Sequence, residues 1–338
     1  MTNDLMSIFT GKKVLITGGT GSLGQALTKR ILNSDVEQIR ILSRNEFKQI
    51  SMETKLPDER LRFLIGDVRD KDRLIRALDD VDIVFHAAAL KHVPKVEYNP
   101  FEAIKTNVQG SQNVIDACLE NDVQRAICIG TDKAVSPLNT YGATKLLMEK
   151  LFITAKRYSN PKKHPTKFLA VRYGNVFGSS GSVIPKFIGQ INNNEKITIT
   201  DPTMTRFSIT MNQALDFILK ATQKGHGAEV FIPKLKAYSL QQIHNILSNL
   251  TNAKDHEIIG MRTGEKQHEL LINSDEMRYA WSYDNMFVLL NDLHESENLE
   301  EVYPGIKKIE DLDVYSSAKT QQLSTEEITE NIKDLQLL

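Results

Sequence analysis

Residues 13–24 constrain the fold of this chain more than any other stretch. Lys13-Val14-Leu15-Ile16-Thr17 is a short β-branched and apolar run, as a buried strand should be. It leads straight into Gly18-Gly19-Thr20-Gly21-Ser22-Leu23-Gly24, and residues 25–32 follow with helical periodicity. The glycines at 18, 21 and 24 have the G-x-x-G-x-x-G spacing. Such a turn lets backbone N–H groups come close to a pyrophosphate at a helix N-terminus. No Gly-Lys-Ser/Thr follows, which argues against a P-loop. Strand, turn and helix in this order point to a bound dinucleotide.

Strand-like runs recur at 13–17, 38–42, 61–65, 82–86, 125–130 and 167–172, with helical stretches between them. The alternation predicts an α/β fold, a Rossmann-type doubly wound parallel sheet. The pattern changes near residue 175, where glycines and serines cluster, and Pro185 follows. Residues 211–222 look helical again and Glu229–Pro233 reads as a strand.

The second run ends in Ser43-Arg44-Asn45-Glu46, with Lys48 one helical turn on. An NAD site usually places an acid here to hold the ribose 2′-OH. Cationic donors suit a 2′-phosphate, so the expected cofactor is NADP.

Chemistry is densest at Thr131-Asp132-Lys133-Ala134-Val135-Ser136-Pro137-Leu138-Asn139-Thr140-Tyr141-Gly142-Ala143-Thr144-Lys145. On a helix, Tyr141 and Lys145 share one face. The ammonium then draws the tyrosine pKa down from about 10 towards neutrality. A tyrosine so tuned takes a proton from a hydroxyl and, beside a nicotinamide, oxidises an alcohol.

These residues resemble the extended short-chain dehydrogenase/reductase family. Its retaining sugar-nucleotide 4,6-dehydratases carry Thr-Asp-Glu where this chain has Thr131-Asp132-Lys133. The Lys is similar to the inverting UDP-N-acetylglucosamine 4,6-dehydratases that begin pseudaminic acid synthesis. Ser43–Gln49, His86–Pro94, Arg172–Val176 and Arg262–Lys266 match the same subfamily, and the likeness runs from about residue 10 to 272. One departure is Ser180, which supplies no cation where the subfamily has Ser-Arg-Gly-Ser-Val.

The resemblance implies a cofactor domain of residues 1–175 and about 208–236. A discontinuous substrate domain would span about 176–207 and 237–317. A polar tail, 318–338, follows, in which Ser324-Thr325-Glu326-Glu327 has the composition of a helix cap. The resemblance sets Asp67 and Val68 against the adenine. Ala87, Ala88 and Ala89, at a strand's C-terminal end, are expected to let the cofactor lie close to the backbone. Asn107 resembles the helix asparagine that orders this family's active site. Thr20, Ser22, Leu23, Lys91, Ile129, Gly130 and Val176 complete the cofactor contacts. For the substrate it implies Lys91, Asn175, Val183 and Thr200, with Arg206 and Arg262 on the diphosphate and Glu265 on a ribose hydroxyl.

The implied reaction converts UDP-N-acetylglucosamine to a 4-keto-6-deoxy sugar nucleotide with inversion at C5. Tyr141 takes the C4 hydroxyl proton, Lys145 holds the ribose and the phenolate, and Thr131 hydrogen-bonds the reacting oxygen. Lys133, if neutral, removes the C5 proton, and Asp132 protonates the departing C6 hydroxyl. Lys145 and partial burial act to lower the Lys133 pKa and Asp132 opposes them. The competing readings are a 4-epimerase or a C5-retaining dehydratase on the same residues, and a non-catalytic NADP-sensing scaffold.

Composition sets outer limits. Lys plus Arg number 42 against 43 Asp plus Glu over 338 residues, a net charge of −1, so no electrostatic case exists for nucleic acid or a membrane surface. Cys118 and Cys128 lie in apolar runs, with no disulfide framework and no metal-ligand spacing. No apolar run approaches the ~18 residues of a membrane span and no signal peptide precedes the first strand. A soluble, cytoplasmic protein is expected, and the family resemblance implies a closed homo-oligomer, often a hexamer.

Overall fold

The computed structural model describes residues 5–160, 162–179, 181–251, 255–294 and 298–335; Ser180 lies outside them. The chain lays down β1 (Lys13–Thr17), β2 (Gln38–Ser43), β3 (Leu61–Ile65), β4 (Ile83–His86), β5 (Arg125–Ile129) and β6 (Lys167–Val171) in one sheet. Next, β7 (Asn175–Val176), β8 (Ile197–Ile199) and β9 (Thr205–Ile209) leave it, and β10 (Val230–Pro233) returns beside β6. Then β11 (Ala237–Ser239), β12 (His256–Ile258) and β13 (Leu270–Ile272) lie outside, while β14 (Ala280–Tyr283), β15 (Met286–Leu289) and β16 (Lys307–Lys308) rejoin. The short β17 (Tyr315–Ser316) pairs with β13.

The large sheet has ten strands in the order β16-β14-β15-β10-β6-β5-β4-β1-β2-β3. From β10 to β3 every pairing is parallel, and β15, β14 and β16 add antiparallel. Val14 and Ile16 enter one apolar core and Leu15 the other, so both faces of the sheet are covered. That is why the parallel strands read as continuous apolar runs rather than as an alternation. Strand order reverses about β1, so a crevice opens at its C-terminal end. The doubly wound sheet read from the sequence is the one observed. Strand β4 starts one residue later than expected, at Ile83, just after Asp82. Its carboxylate accepts from the Lys13 backbone N–H at 2.8 Å and from Lys12 Nζ at 3.1 Å.

A third core gathers Phe177, Ile184, Phe187, Tyr238, Ile243 and Leu247 outside the large sheet. Two differences from the sequence reading emerge. Residues 280–308, placed in the second domain, supply β14–β16 of the large sheet because Val288 and Leu289 extend its cores. The stretch 318–335 is polar only on its outer face. Ile328 and Ile332 of the helix Thr325–Asp334 are buried in the third core with Leu323. Ser324 caps that helix reciprocally with Glu327: its N–H donates to Oε2 at 2.9 Å and its hydroxyl accepts from the Glu327 N–H at 3.2 Å.

Candidate active site

Gly18 follows β1 at φ +65°, and a Cβ there would lie 2.9 Å from Ala88 Cα. Only glycine therefore serves where β1 and the loop after β4 close together. The helix Ser22–Ile31 begins four residues later, with Gly21 as its N-cap. Its first turn lines a cleft of about 520 Å³.

The cleft gathers the expected cofactor residues from well-separated segments. Gly18, Thr20, Gly21, Ser22, Leu23 and Gly24 form its floor. Ser43, Arg44 and Lys48 stand at one end beside Asp67 and Val68. Ala87, Ala88, Ala89 and Lys91 form one wall, and Ile129, Gly130, Tyr141, Lys145 and Val176 lie at the other end. The acid that an NAD site puts at the end of β2 is absent. Asn45 is there instead, capping the helix Glu46–Lys55 through a 2.8 Å bond from the Lys48 N–H. The Arg44 side chain is 54% exposed, with Nη1 3.8 Å from Asp67 Oδ2. Burial works against the Asp67 charge, but hydrogen bonds from Arg69, aided by the Arg69 and Arg44 charges, hold its carboxyl below the usual range.

Asn107 corrects one expectation, because it does not line the cleft. It is fully buried in the π-helical turn Ile104–Gln109. There it takes the Leu90 N–H at 2.8 Å and donates to Leu90 O and Thr144 Oγ1 at 3.0 Å. It thus ties the cleft wall after β4 to the helix Thr140–Tyr158.

That helix carries Tyr141 and Lys145 one turn apart, both lining the cleft. Asn139 caps it, taking the Gly142 N–H at 2.8 Å. A side-chain carbon at Gly142 would strike the Lys133 carbonyl, so glycine lets the helix start pack on the turn Asp132–Ala134. The expected Lys145–Tyr141 coupling is not the one present. Lys145 Nζ donates to Ile129 O at 2.6 Å and contacts Met148 Sδ at 3.2 Å. Burial lowers its pKa. Burial raises the Tyr141 pKa above 10.0, and the Lys133 charge and a hydrogen bond with Thr131 oppose the rise.

Lys133 also departs from expectation. Its Nζ lies 2.9 Å from Asp132 Oδ1, 2.8 Å from Asn175 Oδ1 and 3.8 Å from Glu269 Oε1. Burial acts to lower its pKa, yet the Asp132 and Glu269 charges outweigh it and hold the ammonium well above 10.5. Asp132 is fully buried behind it, accepts the Thr131 hydroxyl at 2.9 Å, and has one oxygen with no partner.

A second cleft, of about 730 Å³, adjoins the first. Lys133, Val183, Arg206, Arg262 and Glu265 line it. Lys91, Thr131, Tyr141, Asn175 and Ser179 line both clefts, so the two meet at the Tyr141 ring. Thr200 stays outside because its hydroxyl is turned to Met204 Sδ at 3.1 Å. Arg206 is less free than an open fork. It donates to Thr205 O at 2.7 Å and Gln267 O at 3.1 Å, with Nε 3.6 Å from Glu269. Glu269, 4% exposed and lining this cleft, was missed from sequence. Its available signal was a lone acid leading into the apolar Leu270-Leu271-Ile272.

Residues 14–291 match the family described as polysaccharide biosynthesis protein. The chain is similar to a UDP-N-acetylglucosamine 4,6-dehydratase (inverting) of Campylobacter jejuni subsp. jejuni, at 44% identity over 94% of this chain and 96% of that one. It is similar at 42% identity to a UDP-glucose 4-epimerase of Rickettsia bellii, over 97% of each chain. Among solved structures, Pen from Bacillus thuringiensis superposes with a TM-score of 0.89 at 38% identity, over 98% of this chain and 99% of that one.

Proposed function

The chain belongs to the polysaccharide biosynthesis protein family, and we propose that within it this protein is a UDP-N-acetylglucosamine 4,6-dehydratase that inverts C5. The product is then UDP-2-acetamido-2,6-dideoxy-β-L-arabino-hex-4-ulose. The observation that carries the reading is the meeting of two clefts at Tyr141 with the Asp132–Lys133 pair against it. The Campylobacter relative's name agrees with it.

The first cleft fits a nicotinamide dinucleotide, since a Cβ would fill the turn at Gly18 and the helix start offers N–H groups to a diphosphate. We assign NADP, on Arg44 and Lys48 at the end of β2 and no acid there. A nicotinamide bound there would supply the hydride transfer from C4 of the sugar to C6. Tyr141 takes the C4 hydroxyl proton and Thr131 steadies that oxygen. Lys145 holds the C-terminal end of β5 through Ile129 O and holds the ribose. Lys133 then removes the C5 proton, acidified by the adjacent ketone, and Asp132 protonates the C6 hydroxyl so that it leaves as water. A proton delivered to C5 on the opposite face, balancing the one Tyr141 took, completes the inversion. A proton passing along the 2.9 Å bond from Lys133 to Asp132 yields the neutral amine and the carboxylic acid together, with no change in net charge. Arg262 and Glu265 hold the nucleotide end, with Lys91, Asn175, Val183 and Arg206 around the sugar and diphosphate. Residues 1–175 and about 208–236 form the cofactor part, which β14–β16 extend.

No helix of the described residues is long and apolar enough to cross a membrane. We place the enzyme in the cytoplasm, where its substrate is made, as a homo-oligomer, a hexamer by family resemblance. Tyr98 and Phe101, 86% and 63% exposed, give it apolar surface for self-association.

A 4-epimerase is the second reading, favoured by the Rickettsia relative's name. It has no use for an acid and a base at C6 and C5. Incubation with UDP-N-acetylglucosamine decides: a dehydratase gives a product lighter by one water, whose C5 configuration NMR reads. An isomer of unchanged mass supports the epimerase.

A further inference from the structure

Glu269 is a buried carboxylate of the second cleft that the reaction above leaves unused. Its backbone is held on both sides by Ser317: the Glu269 N–H donates to Ser317 Oγ at 2.9 Å, and the Ser317 N–H to Glu269 O at 2.9 Å. The carboxylate is fixed between two cations. Oε1 lies 3.8 Å from Lys133 Nζ and 3.6 Å from Arg206 Nε. Oε2 is buried with no hydrogen-bond partner. Such an oxygen is costly to bury, so a role in the site explains its retention better than stability does.

We propose that Glu269 is a positioning residue for the C5 step. It anchors Lys133 and Arg206 on one oxygen and meets the positive charge that Lys133 gains as it takes up the C5 proton. Glu269 has this role only where Lys133 is the C5 base proposed above. The charged and titratable groups around Lys133 are Asp132 from its own turn, Tyr141 from the helix start, Arg206 and Tyr238 from β9 and β11, and Lys266 and Glu269 from the segment before β13. When the Lys133 proton passes to Asp132, the bond broken is N–H and the bond formed is O–H. The Glu269 carboxylate faces Arg206 throughout, Oε1 lying 3.6 Å from Nε. The proton arriving from C5 then makes an ammonium beside a carboxylate already in place, which requires no reorganisation.

The test is Glu269→Gln, which keeps shape and removes charge. Trace acetylation of the full-length protein at fixed pH, located by peptide mass spectrometry, reads the neutral fraction of Lys133. That side chain is 26% exposed and reachable from the cleft. Lys91, in the same cleft, reports access. Labelling of Lys133 relative to Lys91 should rise roughly tenfold, because the carboxylate no longer favours the ammonium. The kcat for the 4-keto product should fall several-fold, by more than KM for UDP-N-acetylglucosamine rises through the loosened Arg206, because the contact to Lys133 strengthens as charge develops. Glu269→Asp, which keeps the charge but draws it back, should lie between and carries the test if the Gln variant does not fold. Unchanged Lys133 labelling, or a rise shared by Lys91, overturns the role of Glu269. A wild-type protein that releases no 4-keto product overturns the dehydratase reading and this use of the charge with it.

Discussion

Asn107 grips Leu90 by both of its backbone groups, taking the N–H at 2.8 Å and donating to the carbonyl at 3.0 Å. Leu90 lies between Ala89 and Lys91, which both line the first cleft. Asn107→Ala leaves these backbone groups and the Thr144 hydroxyl with an acceptor or donor missing in a buried setting. The expected cost is about 2–3 kcal/mol of stability. Urea denaturation should show it, and calorimetry should show weaker cofactor binding. Unchanged cofactor affinity would mean the cleft wall stands without the clamp.

Tyr141→Phe keeps the buried ring and removes the base. Turnover should drop by roughly 10²–10⁴-fold while the cofactor still binds. Near-normal turnover would remove Tyr141 from the C4 step. In wild-type enzyme, burial raises the Tyr141 pKa. Its phenolate is therefore the minor form at neutral pH and grows as pH rises. Single-turnover reduction of the nicotinamide, followed by absorbance, should accelerate from about pH 7 to 9, approaching tenfold per unit. A rate that falls over that range contradicts a phenolate base.

Arg44→Ala should weaken NADP more than NAD. A charge-assisted hydrogen bond to the 2′-phosphate is worth roughly 1.5–3 kcal/mol, so about tenfold or more in Kd. Parallel titrations with both cofactors make the comparison. Equal losses would assign Arg44 a structural role through Asp67.

Lys133→Glu rebuilds the Thr-Asp-Glu of the retaining dehydratases and sets a third carboxylate between Asp132 and Glu269. Oxidation at C4 should survive but slow, since Tyr141 and Lys145 remain while the Lys133 charge that opposes the rise of the Tyr141 pKa is lost. Elimination should slow strongly, and product formed in deuterated water should show a larger share of retained C5 configuration by NMR. Wild-type rate with full inversion would show that Lys133 is not the C5 base.

Arg172 is fully buried between Glu149 and Glu276 and also donates to Leu271 O at 2.9 Å. The Glu149 and Glu276 charges outweigh burial and raise its pKa far above the ordinary range. Arg172→Met strands the Glu149 carboxylate in the core and should cost about 3–5 kcal/mol. Thermal and chemical denaturation check this; a loss under about 1 kcal/mol would mean the carboxylates take up protons at little cost.

What the chain determines alone is local. The glycines after β1, the Ser324 cap and the Tyr141–Lys145 spacing are relations within one turn of backbone. Backbone geometry at that range follows from residue type and short spacing. The doubly wound sheet was legible because each buried strand prints a continuous apolar run and each covering helix its own period. The charge state of the site was not legible. Lys133 is held by Asn175, 42 residues on, and by Glu269, far beyond it. Lys145, expected to act on Tyr141, is instead turned to the backbone of β5. A pKa is set by burial and by charges within a few ångströms, and those neighbours exist only once β5, β7, β9 and the segment before β13 have been brought together.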